Sequence, residues 1–299
     1  MKFNATKEQT ESLIYGGAIG DAYGAPYEFS HKRGSFKPKW TSSIETHGGL
    51  IGKQPVGTWT DDTSMTIATI ANIYHNHGIV NMKSLLSTYT KWVRQGMYTI
   101  DGICDDCGTT TMKAITQGYG CTDVNDNGNG SLMRISPLAL TDATDDEIRD
   151  VSASTHAHML SVNACIQWVH IIRELLSGAW IDEAIITSNE YMHDNNLEPS
   201  SNRLVGIWEL DESEIKSSGF VVDSLEAASW ALSTSSSYEE TVNRAVSLGG
   251  DTDTIACIAG SAAGVVYGRG GLKGINVKYI HELRGSQLID KAINQIESL

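Results

Sequence analysis

The chain has 299 residues, 40% of them hydrophobic and 19% charged, with a formal net charge of −14. That is the composition of a globular protein, not a disordered one, and the length allows one large domain or two small ones. The negative charge repels phosphate backbones, which excludes duplex binding from the expected activities; a nucleotide-like substrate would need local compensation from cations or helix N-termini.

Helical signals run through the chain in order. Thr6-x-x-Gln9 reads as a capping box, and Leu13, Ile14, Gly17, Ala18 and Ala22 keep helical spacing until Pro26 stops the run. Ile67, Ile70, Ala71 and Tyr74 fall at i, i+3, i+4 and i+7, with Gly78 as terminator. Asn81 caps a segment carrying Leu85, Tyr89, Trp92 and Val93, ended by Gly96. Thr144-x-x-Glu147 and Ser237-x-x-Glu240 are further capping boxes. Residues 159–176 are apolar on more than one side, as a buried central helix would be, and 224–232 and 255–267 are also helical. No sustained period-2 alternation marks a strand; Asn127-Gly128 and Asn129-Gly130 lie in a polar, glycine-rich loop. No linker-like stretch or solenoid repeat divides the chain. The expectation is an all-α fold, a single many-helix orthogonal bundle over residues 1–299.

Gly16, Gly20 and Gly24 lie four apart on one helix face, and Ala256, Gly260 and Gly264 repeat the pattern. Each helical glycine costs about 1 kcal/mol relative to alanine, a cost offset if another backbone comes very close. The five cysteines, Cys104, Cys107, Cys121, Cys165 and Cys257, are odd in number and the chain is long, which does not read as a disulfide framework. Cys104-x-x-Cys107 is half of a zinc site whose other half is missing. No stretch approaches the roughly 18–20 apolar residues that span a bilayer. Residues 1–12 are polar, without the apolar core of a secretory signal, so a cytoplasmic protein is expected.

Two segments carry acids with the same grammar. In Gly57-Thr-Trp-Thr-Asp-Asp-Thr63 a loop ends at Thr60, and Asp61 and Asp62 fall in a first helical turn. Taken alone, these acids would simply complement the helix dipole. Gly249-Gly-Asp-Thr-Asp-Thr254 sets Asp251 and Asp253 between hydroxyls at the start of another helix, after glycines that permit unusual backbone angles. A dense carboxylate cluster is costly unless cations neutralise it, and all-oxygen donors favour Mg²⁺, Mn²⁺ or Ca²⁺. The two clusters together point to a binuclear site. A third segment, residues 16–28, places Asp21 and Glu28 beside the glycine face, Glu28 after the helix stop.

The set G-x-x-x-G-D-A-x-G-x-P-x-E, G-x-x-T-D-D-T, N-G-N-G-S-x-M-R and G-G-D-T-D-T, in that order from Gly16 to about Gly268, resembles the ADP-ribosylglycohydrolases. That family includes the dinitrogenase reductase-activating glycohydrolase and the ADP-ribosylarginine and ADP-ribosylserine hydrolases. The resemblance implies an all-α fold with two divalent cations, Mg²⁺ or Mn²⁺. One would be held by Thr60, Asp61 and Asp62, the other by Asp251, Asp253 and Thr254, with Asp253 or Asp61 near both. Glu28 matches the family's mobile glutamate. The 127–134 loop would hold the substrate through Asn127, Gly128, Asn129, Gly130, Ser131 and Met133, its amides and Ser131 facing diphosphate or ribose. Arg134 is open to pairing with a carboxylate. Cys104-Asp-Asp-Cys-Gly108 stands where the family has an acceptor-side run, with Asp106 at its acidic position. Thr155-His-Ala-His158 matches a T-H-x-H run, so His156 and His158 are candidate pocket residues.

The implied activity is cation-assisted hydrolysis of the bond joining ADP-ribose to a protein or small-molecule target, through an oxocarbenium-like transition state. Asp62 is counted with Glu28 and Asp106 as catalytic, and Glu28 or Asp106 serves as the proton-transfer group. The acids at 105 and 106 favour a guanidinium acceptor, mono-ADP-ribosyl-arginine, because carboxylates pair it bidentately. Serine, nucleic-acid-base and O-acyl linkages stay open, as do a phosphatase-like activity and a non-catalytic ADP-ribose-binding or structural relative.

Overall fold

The computed structural model describes residues 5–29, 32–42, 54–104, 106–268 and 271–299. Residues 1–4 of the N-terminal segment and Asp105 lie outside them. Twelve α-helices are described: α1 (Lys7–Gly24), α2 (Asp61–His75), α3 (Met82–Gln95), α4 (Thr109–Gln117), α5 (Asp145–Ala153), α6 (Met159–Ser177), α7 (Ile181–Asp194), α8 (Val221–Ser233), α9 (Tyr238–Ser247), α10 (Thr252–Tyr267), α11 (Val277–Glu282) and α12 (Ser286–Glu297). Among the described residues there is no strand, only isolated bridges, one of them joining Gly128 to Phe220. The fold is all-α. No described helix is long and apolar enough to cross a membrane.

The capping signals act largely as the sequence implies. Thr6 with Gln9 and Thr144 with Glu147 form reciprocal boxes, and the Asn81 side chain accepts from the Ser84 N–H. Ser237 makes only half of its box. It accepts from the Glu240 N–H, while the Glu240 carboxylate turns back to Ser236 and to Arg244. Pro26 sits in a short 3₁₀ turn, Ala25–Tyr27, that follows α1 and has Glu28 at its C-cap. α6 is the buried centre, its core-facing residues running from Ser161 to Leu176.

The glycine rows explain how the site is assembled. A methyl added at Gly20 would lie 2.0 Å from the Ala256 carbonyl oxygen, and one at Gly16 would lie 2.4 Å from that of Gly260. At Gly24 the nearest atom would be the Thr252 carbonyl oxygen at 2.4 Å. α1 and α10 therefore run antiparallel with their backbones nearly touching, and the last turn of α1 meets the first turn of α10. Asp21, one turn from the end of α1, is thereby carried to the acids that open α10.

Candidate active site

Three chain segments distant in sequence converge on one buried acidic focus. Asp62 is fully buried at the start of α2, and Asp253 is 2% exposed in the first turn of α10. Asp21, also fully buried, offers a carboxylate oxygen within 4.8 Å of both, and Glu28, Asp251 and Asp253 form a second such group. Asp253 belongs to both groups. Thr60 and Asp61 are half-buried at the lip, and Thr254 closes the other side, its hydroxyl 3.4 Å from Asp62 Oδ2.

Asp21 is the residue that sequence reasoning leaves without a role. Its carboxylate accepts from the Thr60 N–H at 3.0 Å and hydroxyl at 2.9 Å, and from the Thr63 N–H at 3.0 Å and hydroxyl at 2.6 Å. Thr60 stands at the N-cap of α2 but makes no side-chain cap. Asp21 does that work from another helix, satisfying amides that a helix start leaves unpaired. α10 is held differently. Gly249 and Gly250 take φ of 70° and 72°, and a side chain at Gly250 would strike the Ser217 carbonyl. Asp251 then donates its N–H to that carbonyl at 2.9 Å, and its Oδ2 accepts from Asn129 at 2.8 Å.

Crowding acids out of water favours their protonated forms. Burial pushes Glu28 up to about 9, with Asp251, Asp61 and Asp106 adding repulsion. Burial, then Asp106 and Asp21, raises Asp61 to about 8; Asp62 and Asp253 are driven well above the carboxylate range for the same first reason. Asp62 Oδ1 is buried with no hydrogen-bond partner. Such a cost is relieved by a cation, and every donor at the focus is oxygen. The residues present fit a hard divalent cation. Cys104 and Cys107 are unbridged, and burial followed by the charge of Asp61 pushes the Cys107 thiol up, which disfavours a thiolate zinc ligand.

The 127–134 loop lies beside Asp251, joined through Asn129, whose amide also donates to Ser224 at 2.8 Å. Asn127 turns inward: its side chain meets His158 Nδ1 at 3.0 Å and accepts from Ser161 at 2.8 Å. His158 caps α6. The Ser131 hydroxyl is fully buried against Ser152 and Cys165, and Met133 is buried. Among the described residues Arg134 pairs with no carboxylate. It is fully buried, stacks over Tyr89 at 4.7 Å, and donates to the Gly130 carbonyl, Tyr89 and Thr155. His156 packs beneath the loop, where a side chain at Gly130 would come within 3.1 Å of its ring. Burial, then the Arg134 charge, lowers its pKa to about 3. α4 begins at Gly108 with no side-chain cap, and its Thr111 hydroxyl is 3.3 Å from where a Gly130 methyl would lie. Glycine and uncapped amides here suit an anion. Asp106 is exposed, its carboxylate accepting from the Cys107 N–H at 2.7 Å.

Known proteins share both sequence and fold with this arrangement. The chain is 28% identical over 302 residues to the ADP-ribosylarginine hydrolase Tri1 of Pseudomonas putida (strain GB-1), covering 97% of this chain and 78% of that one. It is 30% identical over 278 residues to the ADP-ribosylarginine hydrolase Tri1 of Serratia proteamaculans (strain 568), covering 87% and 72%. A solved ADP-ribosylglycohydrolase-related protein complex superposes with a TM-score of 0.76 at 27% identity, over 97% of this chain and 98% of that one. The family model for ADP-ribosylglycohydrolases matches residues 4–298, and with the acid focus and glycine loop in place the chain belongs to the ADP-ribosylglycohydrolase family.

Proposed function

We propose that this enzyme hydrolyses the bond joining ADP-ribose to a modified arginine and releases ADP-ribose, with two divalent cations, Mg²⁺ or Mn²⁺, at the acid focus. The observation that carries the cation reading is the buried, partnerless Asp62 Oδ1 among converging carboxylates. Thr60, Asp61 and Asp62 would hold one ion, and Asp251, Asp253 and Thr254 the other. When bound, such cations orient ribose hydroxyls, make a water more acidic and offset developing charge.

The chain's own residues supply the remainder. Amides of the 127–134 loop and the start of α4 donate to the diphosphate, which offsets the repulsion expected from a chain of net charge −14. Glu28 reaches the focus from the corner after α1 and holds a proton to about pH 9 in the cation-free protein, so it is placed to move a proton at the scissile bond. Asp106, exposed at the lip, faces the acceptor, and a carboxylate there suits a guanidinium. The two relatives named as arginine hydrolases support that acceptor over serine. A single domain acting in the cytoplasm on a protein target, without duplex or membrane partner, completes the proposal.

The test is hydrolysis of arginine- and serine-ADP-ribosylated peptides with Mg²⁺, Mn²⁺ or EDTA, following free ADP-ribose. Cation-dependent release from the arginine peptide is expected. Release from the serine peptide alone would move the acceptor. Equal release in EDTA would remove the cations from the mechanism.

A further inference from the structure

Arg134 is a full positive charge with no exposure, and no ion pair among the described residues includes it. An unpaired buried charge is expensive, so its neutral partners identify its task. It grips the Gly130 carbonyl, and its other terminal nitrogen donates to Thr155 Oγ1 at 2.6 Å. Thr155 Oγ1 in turn lies 2.8 Å from His156 Nδ1.

We propose that Arg134 is a positioning residue that acts through Thr155 to hold His156 in its Nε2–H tautomer, so that the imidazole presents a neutral donor at the glycine loop for an anionic or hydroxyl oxygen of the ADP-ribose moiety. The role given to that donor rests on the function proposed above; the tautomer does not.

The assignment follows from counting hydrogens. A guanidinium only donates, so Thr155 Oγ1 accepts from Arg134 and must place its own hydrogen elsewhere. His156 Nδ1 is the one acceptor the described residues offer it. If Nδ1 carried the proton instead, the Thr155 hydroxyl hydrogen would be buried without an acceptor, a cost the first arrangement avoids. A neutral imidazole has one protonated nitrogen, and burial keeps His156 neutral, so the proton sits on Nε2. The Nε2 edge faces the loop, 3.6 Å from where a Gly128 methyl would lie and 3.4 Å from that of Gly130. No described protein group takes up that donor, and both glycines leave the space above it open.

The experiment labels histidine with ¹⁵N in the whole protein and reads two-bond ¹H–¹⁵N correlations at neutral pH, with His156→Gln identifying the signal. ADP-ribose affinity is measured by calorimetry on the same samples. Wild type and Thr155→Ser should show a protonated Nε2 and a bare Nδ1. Thr155→Val, which offers Nδ1 neither donor nor acceptor, releases the ring from the relay and should weaken ADP-ribose about tenfold, the size of one hydrogen bond. A wild-type Nδ1–H tautomer or an imidazolium overturns the proposal, and that reading needs no variant to fold. Unchanged ADP-ribose affinity in Thr155→Val also overturns it. If wild type shows Nε2–H but binds no ADP-ribose and cleaves neither peptide, the relay stands and its proposed use falls with the functional reading.

Discussion

α2 and α10 both open with threonine beside aspartate, and the molecule holds the two starts in opposite ways. The α2 start is held by an anion from another helix, since Asp21 takes the Thr60 and Thr63 amides and hydroxyls. The α10 start is held by neutral groups, namely the Ser217 carbonyl, the Asn129 amide and the Gly24 carbonyl, which accepts from Thr252 at 2.9 Å. One half of the acid focus thus depends on charge and the other on backbone shape. Placing an extra carboxylate behind the α2 acids raises the repulsion within the focus, which a bound cation would relieve.

The largest expected effect is at the focus. Asp62→Asn should weaken Mn²⁺ binding and ADP-ribose release each by more than about a hundredfold, while the melting temperature in EDTA holds or rises because one buried repulsion is gone. Calorimetric Mn²⁺ titration and a thermal melt check both signs; unchanged affinity would remove Asp62 from the ligand set. Next comes the comparison of the two supports. Asp21→Asn should cost about 10–100-fold in cation affinity, as supporting carboxylates do, and about 1–2 kcal/mol of stability through the lost helix cap. Asn129→Ala should cost about tenfold or less, since one neutral hydrogen bond to Asp251 is lost. Equal losses in the two variants would break the distinction between the charged and the neutral support.

The same contrast explains what was legible in the sequence. Four helices announced themselves through the capping residues Thr6, Asn81, Thr144 and Ser237, whereas the short α11, capped by Asn276, did not. α4 and α12 start at Gly108 and Gly285 without a side-chain cap and went unread, although Ile289, Ala292, Ile293 and Ile296 keep helical spacing in α12. The acids of α2 and α10 could be read because each cluster is contiguous. Asp21 could not, because its partners lie 39 and 42 residues away and nothing local distinguishes it from any carboxylate beside glycines. The Ser131 hydroxyl and Asn127 side chain look like ligand donors in sequence, and only the packing shows both engaged by the protein.

pH separates cation from proton at the focus. Raised carboxyl pKa values mean that the folded, cation-free protein holds protons the unfolded chain has released, so its stability falls as pH climbs from the ordinary carboxylate range near 4 through about 6 for Asp21, about 8 for Asp61 and about 9 for Glu28. A cation bound at these carboxylates would compete with those protons. The rise in melting temperature given by saturating Mg²⁺ over EDTA should therefore be larger at pH 8 than at pH 6. A rise that shrinks with pH would place the cation away from these carboxylates.

The smallest expected effect tests how much of the α2 start is backbone. Arg284, between α11 and α12, donates its N–H to the Gly57 carbonyl at 2.9 Å and accepts the Trp59 indole at 2.7 Å. Its guanidinium reaches Thr58 at 3.1 Å and Asp101 at 3.0 Å. A lysine at this position keeps both backbone bonds and loses the fork. Asp101 is 56% exposed, so water screens the pair and its contribution should be under about 1 kcal/mol. Arg284→Lys is expected to leave Mn²⁺ affinity within about twofold of wild type, because Asp21 and the backbone still fix Thr60 and Thr63. A tenfold loss would show that the charged fork, and not the Asp21 cap alone, sets where Asp61 and Asp62 lie.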